Sequence, residues 1–462
     1  MKQGSYTMGI QTQNPATGKI VRTFEPHSDA YIEAAISRAV KAQQEVASWS
    51  FPKRKACMKK LATILENEAE RLGAIVTLEM GKPIKQAVGE VKKCAWVCRY
   101  YAENAERHLE KEELESDAKV SYRTFLPLGV IIAIMPWNFP FWQVFRFAAP
   151  AIMAGNTSLL KHASNVPQCA LACEDMFKRA GFPDGSLVTL LINGSRVEPI
   201  LRDDRIAAAT LTGSEHAGAS VASVCGSEIK PTVLELGGSD PFIIMPSADL
   251  DKAIDIACKA RLQNTGQSCI AGKRFLIHAD IYDKVKARFV EKFKALKIGD
   301  PTLNETEIGP LVNEQSYREI IKQVDSAIED GAKRVFGAKP IEGEGYFFQP
   351  GILENIQKES AAYYEEIFGP VMLLFKVHSI DEAIEIANDS PFGLSSVIWT
   401  NDENEQELAI TQLQAGGTFV NSMSASDPRL PFGGIKKSGY GRELAEEGVR
   451  TWSNVKTVSI YE

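Results

Sequence analysis

The chain has 462 residues, of which 44% are hydrophobic and 24% are charged, and its formal net charge is −7. This is the composition of a globular protein with ample material for a large core, and the length predicts roughly two to four domains. The acidic balance, without a basic stripe, argues against a nucleic-acid partner. Any anionic ligand must therefore be bound by a few local groups.

Helical patterns dominate the first hundred residues. Ser28 is a predicted N-cap, because apolar residues recur at helical spacing after it. Two further long helices are predicted over 54–80 and 87–109. The start of the chain, residues 1–20, lacks the apolar region of a signal peptide. The eight cysteines show no zinc-binding spacing, so we expect free thiols, no metal site and a cytoplasmic protein.

An uncharged run over residues 124–145 is the one stretch that could suggest a membrane span. Prolines at 127, 136 and 140 interrupt it, and only 129–135 is continuously apolar. That length suits a strand and not a bilayer. We therefore predict a buried strand followed by a turn, and no membrane partner.

Short apolar runs then alternate with helical stretches up to about residue 238, which predicts a parallel sheet covered on both faces, in a doubly wound domain. A second alternating set follows Cys269 and predicts a second α/β domain. The β-rich pieces 118–127 and 454–461 belong to neither set. Isolated strands need partners, so we predict that they form a small sheet, which subunits of an oligomer could share.

Cys269 stands in the segment "NTGQSCIAGKRF" (264–275), whose polar and glycine-bearing sequence is typical of a loop that approaches a ligand. A thiolate is a strong nucleophile, so Cys269 is a candidate catalytic residue. The alternative is a buried structural cysteine, which is what most free cysteines are.

Two other polar residues follow predicted strands. Glu235 ends an apolar strand just before two glycines, where a desolvated carboxylate could act as a general base; a carboxylate satisfied by loop amides is the alternative. Asn138, in "MPWNFPFW", could donate to a developing oxyanion, or its segment could be a tight aromatic turn that packs the core. Gly213 and Gly218 bracket a strand-to-helix junction that suits a pyrophosphate, although glycine is common at such turns.

Together these segments resemble the aldehyde dehydrogenase family, over nearly the whole chain. Seven family segments occur in order: "PWNFP" (136–140), "AGN" (154–156), "TGS" (212–214), "LELGG" (234–238), "GQSC" (266–269), "EEIFGPV" (365–371) and "PFGGIKKSGYGRE" (431–443). The resemblance implies an α/β fold with a Rossmann-type cofactor domain, an α/β catalytic domain and a small β oligomerisation arm.

The resemblance also implies roles. Cys269 would form a thiohemiacetal with an aldehyde, Asn138 and the backbone N–H of Cys269 would bind the oxyanion, and hydride transfer to a nicotinamide would leave a thioester that water activated by Glu235 hydrolyses. Glu366 would hold the nicotinamide ribose and Phe368 would pack near the ring. Further cofactor contacts are expected at Pro136, Trp137, Lys161, Ser164, Gly194, Gly213, Ser214 and Gly218.

The cofactor preference rests on the end of the second strand of the sheet. The family often has Lys-Pro-x-Glu there, and the Glu binds ribose hydroxyls in NAD-preferring members. Here the residues are Lys161, His162, Ala163 and Ser164. Without the carboxylate, Ser164 beside Lys161 would accept a 2′-phosphate, so we predict a preference for NADP, with NAD as the alternative.

The substrate prediction rests on Arg146 and Trp142, which are four residues apart and so share one helix face. Arg146 is the only charge in its apolar stretch and could anchor a substrate anion; a structural arginine is the alternative. With Ser426 near the tunnel mouth, this arrangement resembles bacterial succinate-semialdehyde dehydrogenases. The alternatives are a broad-specificity aldehyde dehydrogenase, a coenzyme A-acylating enzyme, which Glu235 disfavours, and a non-catalytic homologue.

Three positions depart from the family pattern. Ser239 replaces the lysine of "LELGGK", without an evident reason in the sequence, and His162 replaces proline. Ala271 stands where some relatives carry a second cysteine, so we expect no redox lock. The predicted organisation is a cofactor domain (1–117 and 128–235), a catalytic domain (236–435) and an oligomerisation segment (118–127 and 436–462), in a homo-oligomer that is a dimer or a tetramer.

Overall fold

A computed structural model describes residues 9–462 of the chain. Residues 1–8, on which part of the signal-peptide expectation rests, lie outside the described residues. A β-hairpin without a strong signal in the sequence comes first, and helices follow: β1 Gln11–Asn14, β2 Lys19–Thr23, α1 Asp29–Ser48, α2 Phe51–Asn67, α3 Ala69–Met80 and α4 Ile84–His108.

The helix boundaries confirm one prediction and correct another. Ser28 caps α1, because its hydroxyl accepts a hydrogen bond from the backbone N–H of Tyr31. The single helix predicted over 54–80 is wrong, since the structure has two. Glu68 leaves helical geometry at φ −108° and ψ 14°, and its carboxylate forms an ion pair with Arg179. The residues around Glu68 favour helix, so local helix propensity does not explain the break between α2 and α3. The ion pair of Glu68 with Arg179 is a tertiary contact at the position of that break.

Two strands of a small sheet come next, β3 Glu112–Glu113 and β4 Val120–Pro127. The first large sheet and the helices on it follow: β5 Val130–Met135, α5 Trp142–Met153, β6 Thr157–His162, α6 Pro167–Ala180, β7 Leu187–Thr189, α7 Val197–Leu201, β8 Ile206–Thr212, α8 Glu215–Ser227 and β9 Thr232–Glu235. Strands β9, β8, β5, β6 and β7 are parallel and pair in that order. Ile131 of β5 packs into the apolar cluster on one face of the sheet, and its neighbour Ile132 packs into the cluster on the opposite face. Both faces are buried, as predicted for a doubly wound sheet, and the strand order reverses between β5 and β8.

The second large sheet and the remaining elements are β10 Asp240–Ile244, α9 Leu250–Leu262, β11 Gly272–His278, α10 Ala279–Lys294, α11 Glu314–Glu329, β12 Lys333–Phe336, β13 Lys339–Pro340, β14 Phe348–Gln349, β15 Gly351–Glu354, α12 Ala361–Tyr364, β16 Val371–Val377, α13 Ile380–Asn388, β17 Ser396–Trp399, α14 Glu403–Gln412, β18 Thr418–Val420, β19 Gly439–Tyr440, α15 Ala445–Arg450 and β20 Ser453–Ile460. The sheet order is β12-β15-β16-β11-β10-β17-β18. All pairs are parallel except β12 with β15. This second α/β sheet starts earlier than predicted, because β10 precedes Cys269.

The small sheet is formed by β20, β4 and β3, all antiparallel. Ser453 pairs with Pro127 and Ile460 with Val120, so the two leftover segments pair as predicted. Strand β19 instead adds to the edge of the first sheet beside β9. The division into cofactor, catalytic and oligomerisation parts stays a prediction.

Residues 124–145 form the end of β4, the strand β5 and the start of α5, which confirms the reading of this run as a strand and a turn. Within residues 9–462, no helix combines the length and the apolar character that a bilayer crossing needs.

Candidate active site

Two predicted loops leave the first sheet where its strand order reverses. β5 continues into residues 136–138, and β8 continues into 213–214 at the start of α8. Ser214 caps α8, because its hydroxyl accepts from the N–H of Ala217 at 3.3 Å. Open α/β sheets bind ligands at such a reversal point. The structure therefore brings Pro136, Trp137, Gly213 and Ser214 to the edge at which a dinucleotide is expected.

Cys269 lies on the loop that connects a short 3₁₀ helix, Gln263–Gly266, to β11. Gly266 has φ 73°, and a Cβ there would lie 2.4 Å from the carbonyl oxygen of Gly369. Only glycine permits this approach, which joins the cysteine loop to the "EEIFGPV" segment. Burial raises the pKa of the Cys269 thiol to about 12, against the opposing charges of Lys273 and Arg146. The resting residue is thus a neutral thiol.

Buried cations hold the backbone of this loop. Lys273 Nζ donates to the carbonyl oxygens of Ser268 at 2.8 Å and Cys269 at 2.5 Å. The same ammonium lies 2.9 Å from Oε1 of Glu366. Arg261 donates to the carbonyl oxygens at both ends of the loop, Gly266 at 2.7 Å and Gly272 at 3.0 Å. Lys273 is part of the quoted motif, but its contacts could not be read from the sequence.

Asn138 faces the cysteine loop. Its Nδ2 donates to the carbonyl oxygen of Gln267 at 3.2 Å, and its Oδ1 accepts from Gln143 Nε2 at 3.0 Å. The second bond orients the amide, because it leaves the nitrogen and not the oxygen towards the loop. An amide nitrogen directed at the Cys269 loop fits the oxyanion donor that the sequence predicts at Asn138.

A buried ion pair supports the Asn138 loop from behind. The Lys82 ammonium contacts the Glu90 carboxylate and donates to the carbonyl oxygen of Asn138 at 2.9 Å. Oε1 of Glu90 accepts the backbone N–H groups of Phe141 at 2.9 Å and Trp142 at 3.0 Å. Lys82 and Glu90 are both inaccessible. The pair therefore fixes the backbone within "PWNFP" and directly after it.

Glu235 ends β9 and is only 2% exposed. Among residues 9–462, neither of its carboxylate oxygens has a hydrogen-bond donor. Burial raises the pKa of Glu235 well above its ordinary value, and the nearby Glu443 adds to the rise. A desolvated carboxylate with a raised pKa is a competent general base once it is ionised.

Arg146 is not the isolated cation that its sequence context suggested, and this is a correction. Its Nε lies 2.5 Å from Oε2 of Glu443, and its Nη2 donates to Thr212 Oγ1 at 3.3 Å. Glu443 comes from the "PFGGIKKSGYGRE" segment, nearly three hundred residues away along the chain, so its pairing could not be foreseen. Burial raises the pKa of Glu443, and Arg146 opposes that rise.

Trp142 and Ser426 both contact Lys93, a residue that was not predicted as part of the site. Lys93 Nζ donates to Ser426 Oγ at 2.7 Å and lies 4.1 Å from the centroid of the Trp142 ring. Trp142 and Cys269 pack into the same apolar cluster. Lys93 is one of three lysines in the first ten residues of α4, so nothing in the sequence singled it out.

The remaining predicted cofactor residues lie in the strands of the two large sheets or in the loops and helices next to them. Trp137 and Phe368 pack edge to face, with ring centroids 5.8 Å apart. The half-buried Lys161 belongs to β6, and Ser164 follows that strand. Gly194 begins a short 3₁₀ helix, and Gly218 packs against Leu236.

His162 connects the cofactor edge to the Asn138 loop. Its Nε2–H donates to the carbonyl oxygen of Pro140 at 2.8 Å, while its Nδ1 accepts from the N–H of Ala163 at 2.9 Å. Burial lowers the pKa of His162 to about 4, so the ring is neutral. This contact supplies the reason for histidine in place of proline. The carbonyl oxygen of Ser239 accepts from Arg274 Nε at 2.9 Å, but nothing explains its side chain.

A thiol, an amide donor and a buried carboxylate lie beside a Rossmann-type sheet, a combination that fits the predicted nucleophilic catalysis with a dinucleotide. The sequence pattern of the aldehyde dehydrogenase family matches residues 2–458. The chain therefore belongs to the aldehyde dehydrogenase family.

Relatives with assigned activities are similar over almost the whole chain. The succinate-semialdehyde dehydrogenase [NADP(+)] of Mycobacterium avium is 55% identical over 457 residues, which cover 98% of this chain and 97% of that protein. The succinate-semialdehyde dehydrogenase [NADP(+)] 1 of Mycobacterium tuberculosis is 53% identical, covering 98% and 100%. The crystal structure of succinic semialdehyde dehydrogenase from Streptococcus pyogenes in complex with NADP+ superposes with a TM-score of 0.96 at 38% identity, covering 98% and 100%.

Replacing Lys82 with Met should lower both stability and kcat. The change leaves the Glu90 carboxylate buried without its cation, which costs about 3–5 kcal/mol, and it frees the Asn138 carbonyl, which we expect to lower kcat about 10-fold or more. The thermal unfolding midpoint and kcat with an aldehyde measure the two effects. The control is Lys85→Met at an exposed position of α4. Unchanged stability and kcat in Lys82→Met would contradict the role assigned to the pair.

Proposed function

We propose that this protein oxidises succinate semialdehyde to succinate with NADP as hydride acceptor, through a covalent intermediate on Cys269. The observation that carries the proposal is the position of the Asn138 amide nitrogen, 3.2 Å from the loop of the half-buried Cys269. The names of the mycobacterial relatives, at 53–55% identity, support the substrate and the cofactor.

The chemistry follows from the chain's own groups. The sulfur of Cys269 adds to the aldehyde carbon as its proton passes to solvent water, and the resulting oxyanion accepts hydrogen bonds from Asn138 Nδ2 and the Cys269 N–H. NADP held by Lys161, Ser164 and the start of α8 would supply the oxidation by taking the hydride of that carbon, so that Cys269 would carry a thioester. Glu235 then takes a proton from water, which attacks the thioester carbon and releases the carboxylic acid and the thiol.

The residues at the cofactor edge fit NADP. Lys161 is half-buried, and among residues 9–462 no carboxylate forms an ion pair with it. Burial lowers the pKa of Lys161, and an anion bound beside it would oppose that shift and favour the ammonium form. Lys161 and Ser164 would hold a 2′-phosphate, and the start of α8 at Gly213 and Ser214 would hold the pyrophosphate. Glu366 and Phe368 would contact the nicotinamide riboside.

We also propose a homo-oligomer, a dimer or a tetramer, located in the cytoplasm. The small sheet exposes apolar side chains, including Leu126, Val455 and Ile460 at 40%, 52% and 48%. All eight cysteines lie within the described residues, and none is bonded to another, which fits a reducing compartment.

The first test measures turnover. The purified protein should reduce NADP with succinate semialdehyde, and Cys269→Ala should lower kcat about 1,000-fold or more, because the nucleophile is lost. Cys258→Ala, which removes a buried cysteine of α9 outside the loop, is the control and should retain activity. Equal preference for neutral aldehydes would favour a broad-specificity enzyme, and no activity with either cofactor would favour a non-catalytic homologue.

The second test isolates Glu235. Glu235→Gln should give a burst of about one NADPH per active site followed by turnover slowed about 100-fold or more, because the thioester forms but water is no longer activated. With the raised pKa of Glu235, the unaltered enzyme's deacylation rate should rise with pH as the carboxyl group loses its proton, and this dependence should vanish in the variant. Stopped-flow NADPH absorbance measures both, with the exposed Glu110→Gln as control. A variant without a burst would contradict the role.

The third test concerns the cofactor. Ser164→Glu should reduce the ratio of kcat/KM for NADP to that for NAD about 10-fold or more, because a carboxylate repels the 2′-phosphate. Ser164→Ala removes the hydroxyl without adding charge and should change the ratio less. Steady-state kinetics with both cofactors give the ratios. A ratio that is the same in Ser164→Glu as in the unaltered enzyme would place the 2′-phosphate elsewhere.

A further inference from the structure

Lys93 is a half-buried ammonium near the predicted substrate site whose charge has no carboxylate partner there. It lies on α4, and its Nζ donates to Ser426 Oγ at 2.7 Å. Among residues 9–462, no carboxylate lies within ion-pair distance of this Nζ. The two carboxylates whose charges act on Lys93 are Glu90, which pairs with Lys82, and Asp427, which pairs with Arg429 at 2.6 Å. Partly desolvated ammonium groups are costly unless an anion or several acceptors compensate them.

A second cation increases this cost. Burial lowers the pKa of Lys93 to about 8, and the positive charge of Arg146 is the next cause of the shift. The charge of Arg146 also lowers the pKa of the Cys269 thiol, so it acts on both Lys93 and Cys269. Two cations near one space, with only one partnered by a carboxylate, create a positive region that an anion would neutralise.

The surrounding side chains suit a short carboxylate. Ser426 Oγ accepts from Lys93, which leaves the hydroxyl hydrogen available for a second acceptor. The Trp142 ring, 4.1 Å from the ammonium, forms an apolar wall on one side. An ammonium and a hydroxyl that donate side by side can bind the two oxygens of one carboxylate.

We infer that the Lys93 ammonium and the Ser426 hydroxyl bind the distal carboxylate of an ω-carboxylated aldehyde, and that Lys93 thereby determines the preference over neutral aldehydes. The inference rests on the proposed function and names the residues that select its substrate. The charge of Arg146 also acts on Lys93, while its own carboxylate partner is Glu443. The aldehyde end of the bound molecule reaches towards Cys269, which packs in the same cluster as Trp142.

The experiment compares Lys93→Met with Lys92→Met, which removes a neighbouring charge at an exposed position of the same helix. For each protein, kcat and KM are measured with succinate semialdehyde and with butanal. Lys93→Met should lower kcat/KM for succinate semialdehyde about 10- to 100-fold, mainly through KM, and change butanal less than about threefold. Lys93→Arg should retain most of the preference for the carboxylated substrate, and Lys92→Met should behave as the unaltered enzyme.

Each result has a distinct meaning. A selective loss for succinate semialdehyde supports the inference, and turnover of butanal by Lys93→Met shows that the variant is folded. Equal losses for both aldehydes would assign Lys93 a structural role and overturn the inference. An unchanged preference in Lys93→Met would overturn it as well, while the proposed function stands. An unaltered enzyme without any preference for succinate semialdehyde would overturn the proposed substrate itself.

Discussion

One buried ammonium, that of Lys273, fixes the geometry on which the active site depends. It bonds the carbonyl oxygens of Ser268 and Cys269 and the carboxylate of Glu366, and its side chain has no exposed surface. Three acceptors compensate its desolvation, which a single surface contact could not do. Because two of them belong to the cysteine loop and the third to the "EEIFGPV" segment, the nucleophile and a predicted nicotinamide contact are held by the same charge.

Other buried cations around the site also donate hydrogen bonds to backbone carbonyl oxygens. Arg261 bonds the two ends of the cysteine loop, and Lys82 bonds the carbonyl oxygen of Asn138. Backbone carbonyls are rigid acceptors, so a cation that binds them fixes the chain, and the carboxylates of Glu90 and Glu366 balance the charges of Lys82 and Lys273. In the proposed mechanism, the cations would also stabilise the oxyanion, which is electrostatic preorganisation. Structure and catalysis therefore use the same groups.

The sequence predicted the strands of the sheets better than it predicted side-chain contacts between distant segments of the chain. The apolar alternation predicted the strands of the first sheet, and the two leftover segments predicted the β4–β20 pair, because both signals are local. The break at Glu68 carried no such signal, since helix formers surround it. Arg146 was correctly placed on a buried helix face, but its partner Glu443 comes from a distant segment. Lys93 was missed because its meaning depends on Ser426, more than three hundred residues away.

The raised pKa values of Cys269 and Glu235 have the same main cause, which is burial. Burial favours the neutral form of both groups, so the resting residue at 269 is a thiol and the pKa of Glu235 lies well above its ordinary value. Arg146 is paired with Glu443 and opposes the rise of both carboxyl pKa values, so Glu235 and Glu443 titrate as a coupled pair. A neutral resting site limits thiolate side reactions before substrate binds. The thiol must then lose its proton as the carbon–sulfur bond forms, when the developing charge moves to an oxygen that Asn138 and the loop amides can stabilise.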